Sequence, residues 1–166
     1  QGILLLEMLG ALEPLVERLD PAGEDAPLIA EVMRIVSLDR DRWLADPRVQ
    51  PVPVDALLDP ERLRRIGQRA VRRIASGEPP TKNAEPLRSD TIALVAADAE
   101  GWRVVIIQSI FHAFGSGILE PRTGILCHNR GAHFSLDPQA PNVLAGGKRP
   151  VHTLMPVMVQ YDGRVT

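Results

Sequence analysis

Apolar residues recur at helical spacing through the first half of the chain and crowd into short strand-like runs in the second. In "QGILLLEMLGALEPLVERL", Leu5, Met8, Leu9, Leu12 and Leu15/Val16 fall three or four apart, with Pro14 and Pro21 as breakers. In "APLIAEVMRIVSLDRDRWLADP", Leu28, Val32, Ile35/Val36 and Trp43 keep the same period. Pro27 suits an early helical position and Asp46-Pro47 marks the exit. "LLDPERLRRIGQRAVRRIASG" predicts a third helix, with Asp59 as N-cap, Pro60 at its first position and Gly77 as its stop. Its arginines (Arg62, Arg64, Arg65, Arg69, Arg72 and Arg73) read as a solvated face.

Residues 77–90, "GEPPTKNAEPLRSD", are turn formers and polar groups, which predicts a loop. The pattern then changes period. "TIALVAAD" and "WRVVIIQSI" predict two strands joined at Ala99-Glu100-Gly101, and their near-continuous apolar character predicts cover on both faces. A further strand is expected in "LMPVMVQY", followed by a turn at Asp162-Gly163 and the start of another strand. The pattern thus predicts an α+β chain with a helical first half and a β-rich second half, built as helix layers on sheet. With no initiator methionine and an incomplete last hairpin, the 166 residues read as part of a longer protein.

Composition narrows the function classes. Apolar residues at 45% can fill a core, and a net charge of −2 gives no polyanion-binding signature, so nucleic acid is not an expected partner. No run of 18 apolar residues occurs, so no membrane partner is expected either. The one cysteine, Cys127, lies in an apolar run and is expected to pack rather than react. No Cys/His cluster has zinc spacing, so neither metal nor cofactor is expected.

The candidate chemistry sits at the junction of the two halves. Thr91 opens the first strand directly behind the loop. A threonine hydroxyl is a weak nucleophile at neutral pH unless a base assists it, and a free α-amino group on the same residue is one such base. Chain cleavage between Asp90 and Thr91 would create that amine. On pattern alone, Thr91 is equally a β-branched residue starting a strand.

Downstream motifs decide between these readings. Asp98 to Gly101 form an Asp-x-x-Gly turn, and Phe114 to Gly117 a Phe-Gly-Ser-Gly loop. Gly124 to Leu126 lead to an Asn129-Arg130 corner, followed by Pro141-Asn142 and Lys148-Arg149-Pro150. Upstream, "DRDRWLADP" and "QGILLLEML" fit the same series. In order and spacing these motifs resemble the gamma-glutamyltranspeptidase family, and most of all a branch that includes oxamate amidohydrolase-like proteins.

The resemblance implies an N-terminal-nucleophile hydrolase: a partial αββα sandwich made as one precursor that cuts itself between Asp90 and Thr91. Residues 1–90 would then end the large subunit in a processing loop, and residues 91–166 would begin the small subunit. The resemblance implies Thr91 as nucleophile and Ser109 as the hydroxyl that bonds it. The implied partners are a small-molecule amide substrate, the remainder of the precursor and a homo-oligomer of the processed heterodimer. At the family's substrate contacts this chain carries Phe111 in place of an asparagine, His133 in place of an aspartate, and His152 and Thr153 in place of two serines. Exchanging an ammonium-binding carboxylate for imidazole removes an attraction. A γ-glutamyl compound is therefore expected to suit the site less well than another small amide, in particular an anionic one. His152 is expected to add positive charge at mildly acidic pH. The alternative is a family member with reduced chemistry and a binding or structural role.

Overall fold

A computed structural model describes residues 1–77 and 91–165 of the chain. Of the loop expected over residues 77–90, residues 78–90, Asp90 included, lie outside the described residues. The described chain falls into two compact units, one made of residues 1–77 and 134–151, the other of residues 91–133 and 152–165.

The first unit is helical. It contains α1 (Gly2–Leu12), α2 (Ala26–Trp43), a single turn α3 (Val54–Leu57) and α4 (Pro60–Ala75). α1 stops ahead of Pro14: Glu13 keeps helical angles (φ −48°, ψ −45°), but Pro14 has no N–H with which to continue the hydrogen bonding. α4 begins as expected: Asp59 caps it by accepting the Arg62 amide N–H at 2.8 Å, with Pro60 next. It ends at Ala75, capped by Ser76, and Gly77 follows with φ +66°, the left-handed conformation that stops helices. α1, α2 and α4 pack around Leu4, Ala11, Leu12, Val32, Ile35, Val36, Leu63, Ile66 and Ala70.

The stripe of α1 is rotated by about one residue from the expected one. Leu4, Glu7, Ala11 and Leu12 face inward, while Leu9 is exposed. Glu7 causes this. Its fully buried carboxylate accepts from Arg62 Nη1 at 2.8 Å, and the same guanidinium donates to the Leu57 carbonyl at 2.7 Å and to Asp39. Arg73 likewise turns to Glu31 at 2.8 Å. Only part of the α4 arginine set is therefore a solvated face. Arg62 and Arg73 are half-buried partners of carboxylates on α1 and α2, because a buried charge needs an opposite charge and hydrogen bonds to be tolerated.

Residues 134–151 join this helical unit. Asp46, at the exit of α2, is buried. It accepts the Arg149 amide N–H at 2.9 Å and a forked pair from Arg48, with Nη2 at 2.6 Å. These donors, Arg48 first, hold the Asp46 carboxyl well below the usual carboxylate range. Lys148 Nζ donates to the Pro141 carbonyl at 2.6 Å, and Val151 enters the hydrophobic core. The Asp-Pro and Lys-Arg-Pro motifs are thus in contact although 103 residues separate Asp46 from Arg149.

The second unit carries three antiparallel pairs: β1 (Ile92–Ala97) with β2 (Arg103–Gln108), β3 (Leu119–Glu120) with β4 (Ile125–Leu126), and β5 (Gln160–Tyr161) with β6 (Arg164–Val165). The β1–β2 turn lies where expected. Gly101 takes φ +99°, and Asp98 Oδ1 accepts the Trp102 amide N–H at 2.8 Å. Two expectations fail here. β1 and β2 are not covered on both faces: Ile92, Leu94 and Val95 are exposed, because two strands alone cannot cover either face of their own ribbon. Among the described residues, "LMPVMVQY" is a strand at Gln160–Tyr161, and Pro156 offers no N–H to a ladder. Cys127 also differs from expectation. It is exposed, and its backbone rather than its thiol is engaged, the carbonyl accepting from both the amide N–H and the Oγ of Ser116 at 2.9 Å.

Candidate active site

The β1–β2 register sets the first relation in the site. Ile92 pairs with Gln108 and Ala93 with Ile107. Carried one residue further, the same antiparallel register puts Thr91 opposite Ser109, at the open end of the hairpin. Thr91 is exposed and stands directly ahead of the strand, with backbone geometry set by six consecutive ladder pairs. The two hydroxyl residues singled out in the sequence thus come to the same end of one rigid ribbon.

Ser109 makes the next link. Its Oγ accepts the Phe111 amide N–H at 3.0 Å. Phe111 has φ +80°, a conformation disfavoured for any residue with a Cβ. It is nonetheless buried, and its ring is gripped on several sides. The His133 ring meets it edge-on at 4.6 Å, His112 stacks on it at 4.2 Å, and the Arg130 guanidinium lies over it at 5.1 Å. Asn129 fixes His112, accepting its amide N–H at 3.0 Å and lying 3.2 Å from its Nδ1.

Arg130 and His133 open and close one turn of 3-10 helix, Arg130–His133, which brings both side chains to the Phe111 ring. Arg130 Nη1 donates to Thr153 Oγ1 at 2.7 Å, so Thr153 joins the cluster through the guanidinium. His152 precedes Thr153, and its Nδ1 accepts the Leu154 amide N–H at 3.1 Å. Partial loss of solvent and the Arg130 charge both push the His152 pKa below its ordinary value. That works against the expected charge on His152 at mildly acidic pH.

Four of the six sequence-predicted residues are linked by contacts within a single unit: Ser109 to Phe111 by a hydrogen bond, Phe111 to His133 by ring contact, and Phe111 to Thr153 through Arg130; His152 adjoins Thr153 in the chain, and Thr91 lies one residue beyond the last ladder pair. The residue that sequence reasoning missed is Arg130. It was visible only as half of the Asn129-Arg130 corner, and nothing in its neighbours signals that it is 5% exposed. His112 and Asn129 were likewise left without a role, and they buttress Phe111.

Glycines shape the adjoining loop. Gly115 takes φ +54°, and a Cβ there would strike the Cys127 carbonyl oxygen, so only glycine lets the Phe114–Gly117 loop lie against the 127–128 backbone.

The whole chain, residues 1–166, matches the family model described as Gamma-glutamyltranspeptidase. It is 39% identical over 166 residues to the oxamate amidohydrolase proenzyme of Klebsiella pneumoniae, covering 99% of this chain and 31% of that protein. It is 38% identical over 137 residues to the glutathione hydrolase-like YwrD proenzyme of Bacillus subtilis, covering 82% of this chain and 25% of that one. Among solved structures, cephalosporin acylase from Bacillus halodurans superposes with a TM-score of 0.74 at 28% identity, over 99% of this chain and 29% of the acylase. The chain thus spans under a third of the length of each of these relatives.

Proposed function

The chain belongs to the gamma-glutamyltranspeptidase family, and from that premise we propose that it is the central piece of a self-processing amidohydrolase or acyltransferase with Thr91 as nucleophile. In this reading, residues 1–90 end the large subunit and residues 91–166 begin the small one of a complete αββα sandwich. The rest of the precursor covers the exposed faces of β1 and β2.

Processing follows from the chemistry of the junction. Thr91 Oγ attacks the Asp90 carbonyl carbon as its proton moves to a base. The C–N bond then breaks, leaving the acyl group as an ester on Oγ and a free α-amine on Thr91. Water hydrolyses the ester and releases the Asp90 carboxylate. In turnover the freed amine takes the Thr91 hydroxyl proton while Oγ attacks the substrate amide. The amine of the substrate leaves with a proton, and the acyl-enzyme passes its acyl group to water or to another amine. Ser109, across the ladder from Thr91, holds the nucleophile's hydroxyl. Phe111, His133, His152 and Thr153 form the substrate-binding wall. The names of the relatives, oxamate amidohydrolase proenzyme and glutathione hydrolase-like proenzyme, support a precursor and a small substrate.

The observation that supports this reading is the hairpin register: extended by one residue beyond Ile92–Gln108, it brings Thr91, directly ahead of β1, level with Ser109. The test is a denaturing gel of the full-length protein with amino-terminal sequencing of the smaller piece. Two pieces are expected, the smaller beginning at Thr91, and Thr91→Ala should stay whole. A wild-type precursor that never divides, or a Thr91→Ala variant that divides normally, refutes the assignment. The first outcome would favour a binding or structural role.

A further inference from the structure

Phe111, at φ +80°, lies between two residues that Asn129 holds. On one side, the Asn129 amide N–H donates to the Ile110 carbonyl at 3.2 Å. On the other, Asn129 Oδ1 accepts the His112 amide N–H at 3.0 Å, and its Nδ2 lies 3.2 Å from His112 Nδ1. Asn129 thus brackets the strained residue, although 17 positions separate it from His112. A left-handed conformation at a residue with a Cβ persists only where its surroundings over-determine it, and such places gather at functional sites.

What the strained turn delivers is an amide. The Phe111 N–H donates to Ser109 Oγ at 3.0 Å. A serine hydroxyl has one hydrogen to give and two lone pairs with which to receive. With a lone pair held by the Phe111 amide, the hydroxyl hydrogen is left to be donated outside the turn. Ser109 stands directly after β2, and the register extended by one residue brings Thr91 level with it. The direction of a hydrogen bond between the two hydroxyls matters. An oxygen that is losing its proton is stabilised by a donor and not by an acceptor.

Resting on the proposed function, we propose that Asn129 is a positioning residue of the active site. It folds the turn over residues 110–112, the turn presents the Phe111 amide to Ser109, and Ser109 is thereby fixed as the hydrogen-bond donor to Thr91 Oγ. Asn129 acts on the nucleophile only through Ser109. The contacts of the Phe111 ring with His112, His133 and Arg130 hold the same turn from its other side.

The test is the rate at which the full-length precursor divides at Thr91, followed on denaturing gels after cell-free synthesis. Asn129→Ala removes the side-chain half of the bracket and should slow division about ten- to a hundredfold, the range for a reacting group displaced by roughly 1 Å. Asn129→Asp keeps an oxygen for the His112 amide and should restore most of the rate. Ser109→Ala should be slow by itself, and adding Asn129→Ala to it should slow division no further, because a residue acting through Ser109 has nothing left to act on. A residue that merely supported the fold would slow both backgrounds alike. If Asn129→Ala loses the wild-type circular dichroism spectrum, Asn129→Gln, which carries the same groups one methylene further out, takes its place in the cycle. The proposal is overturned if the Asn129 variant divides at the wild-type rate, or if it slows the Ser109→Ala precursor by the factor it slows the wild type. It is also overturned if Asn129→Asp is as slow as Asn129→Ala while both keep the wild-type spectrum. A wild-type precursor that stays whole refutes the Thr91 assignment and this proposal with it, whereas a dividing precursor indifferent to Asn129 refutes this proposal alone.

Discussion

Phe111 is the residue where strain and packing oppose each other, and two substitutions separate them. Phe111→Ala and Phe111→Gly both delete the ring that His133, His112 and Arg130 contact. Each therefore loses the packing of a buried aromatic, about 3 kcal/mol or more. They differ in the backbone. At φ +80° any residue with a Cβ is strained by roughly 1–2 kcal/mol, and glycine is not. Against this, glycine loses about 0.5–1 kcal/mol more conformational entropy than alanine on folding. The balance leaves Phe111→Gly more stable than Phe111→Ala by up to about 1.5 kcal/mol, the reverse of their order at an ordinary strand or helix position. Urea titration of the full-length protein, followed by far-UV circular dichroism, reads this as a higher midpoint for the glycine variant at unchanged slope. An alanine variant with a midpoint equal to or above that of glycine would refute the strain. It would then remove the reason for regarding the Ser109 Oγ bond to the Phe111 amide as a clamp that holds an unfavourable conformation in place.

Two further outcomes follow from the same contacts. Burial raises the Glu7 carboxyl to about 7, from an ordinary value near 4.5. Between these values the folded chain holds a proton that the unfolded chain has released, so stability should fall as pH rises from about 4.5 to about 7 and level off above. Glu7→Gln, which keeps an oxygen for Arg62, should flatten that slope in urea titrations run across the range, and an unchanged slope would place the titrating group elsewhere. Gly115→Ala combines a left-handed φ of +54° with a clash against the Cys127 carbonyl. It should lower stability by about 2 kcal/mol or more, measured as a shift of the same unfolding midpoint, whereas Gly117→Ala has open space around its Cβ and should cost less.

Local rules, read along the chain, were enough for much of this molecule. The Asp59-Pro60 start of α4, its Gly77 stop, the end of α1 before Pro14 and the Gly101 turn all rest on interactions within about four residues. Such interactions are written in adjacent letters. The motif series from Thr91 to Phe134 carried the family in the same way, because spacing along one chain is itself a sequence property. Recognising the turn between the strands likewise fixed the β1–β2 register, Ile92 with Gln108, since turn length sets hairpin register.

What the tertiary structure alone decided is where charge can be buried. Nothing near Glu7 in sequence shows that Arg62 will meet it, so the apolar count placed Leu12 and Met8 at the core but missed the carboxylate that α1 also turns inward. Nothing near Asp46 shows that its partner is the amide of Arg149. Arg130 is the sharpest case: among the described residues it is the arginine buried without a carboxylate partner, and in sequence it is only half of a two-residue corner. The physical reason is the same each time. Hydrophobic period, caps and turns are settled by neighbours in the chain, whereas the cost of desolvating a charge depends on groups that folding brings from far away.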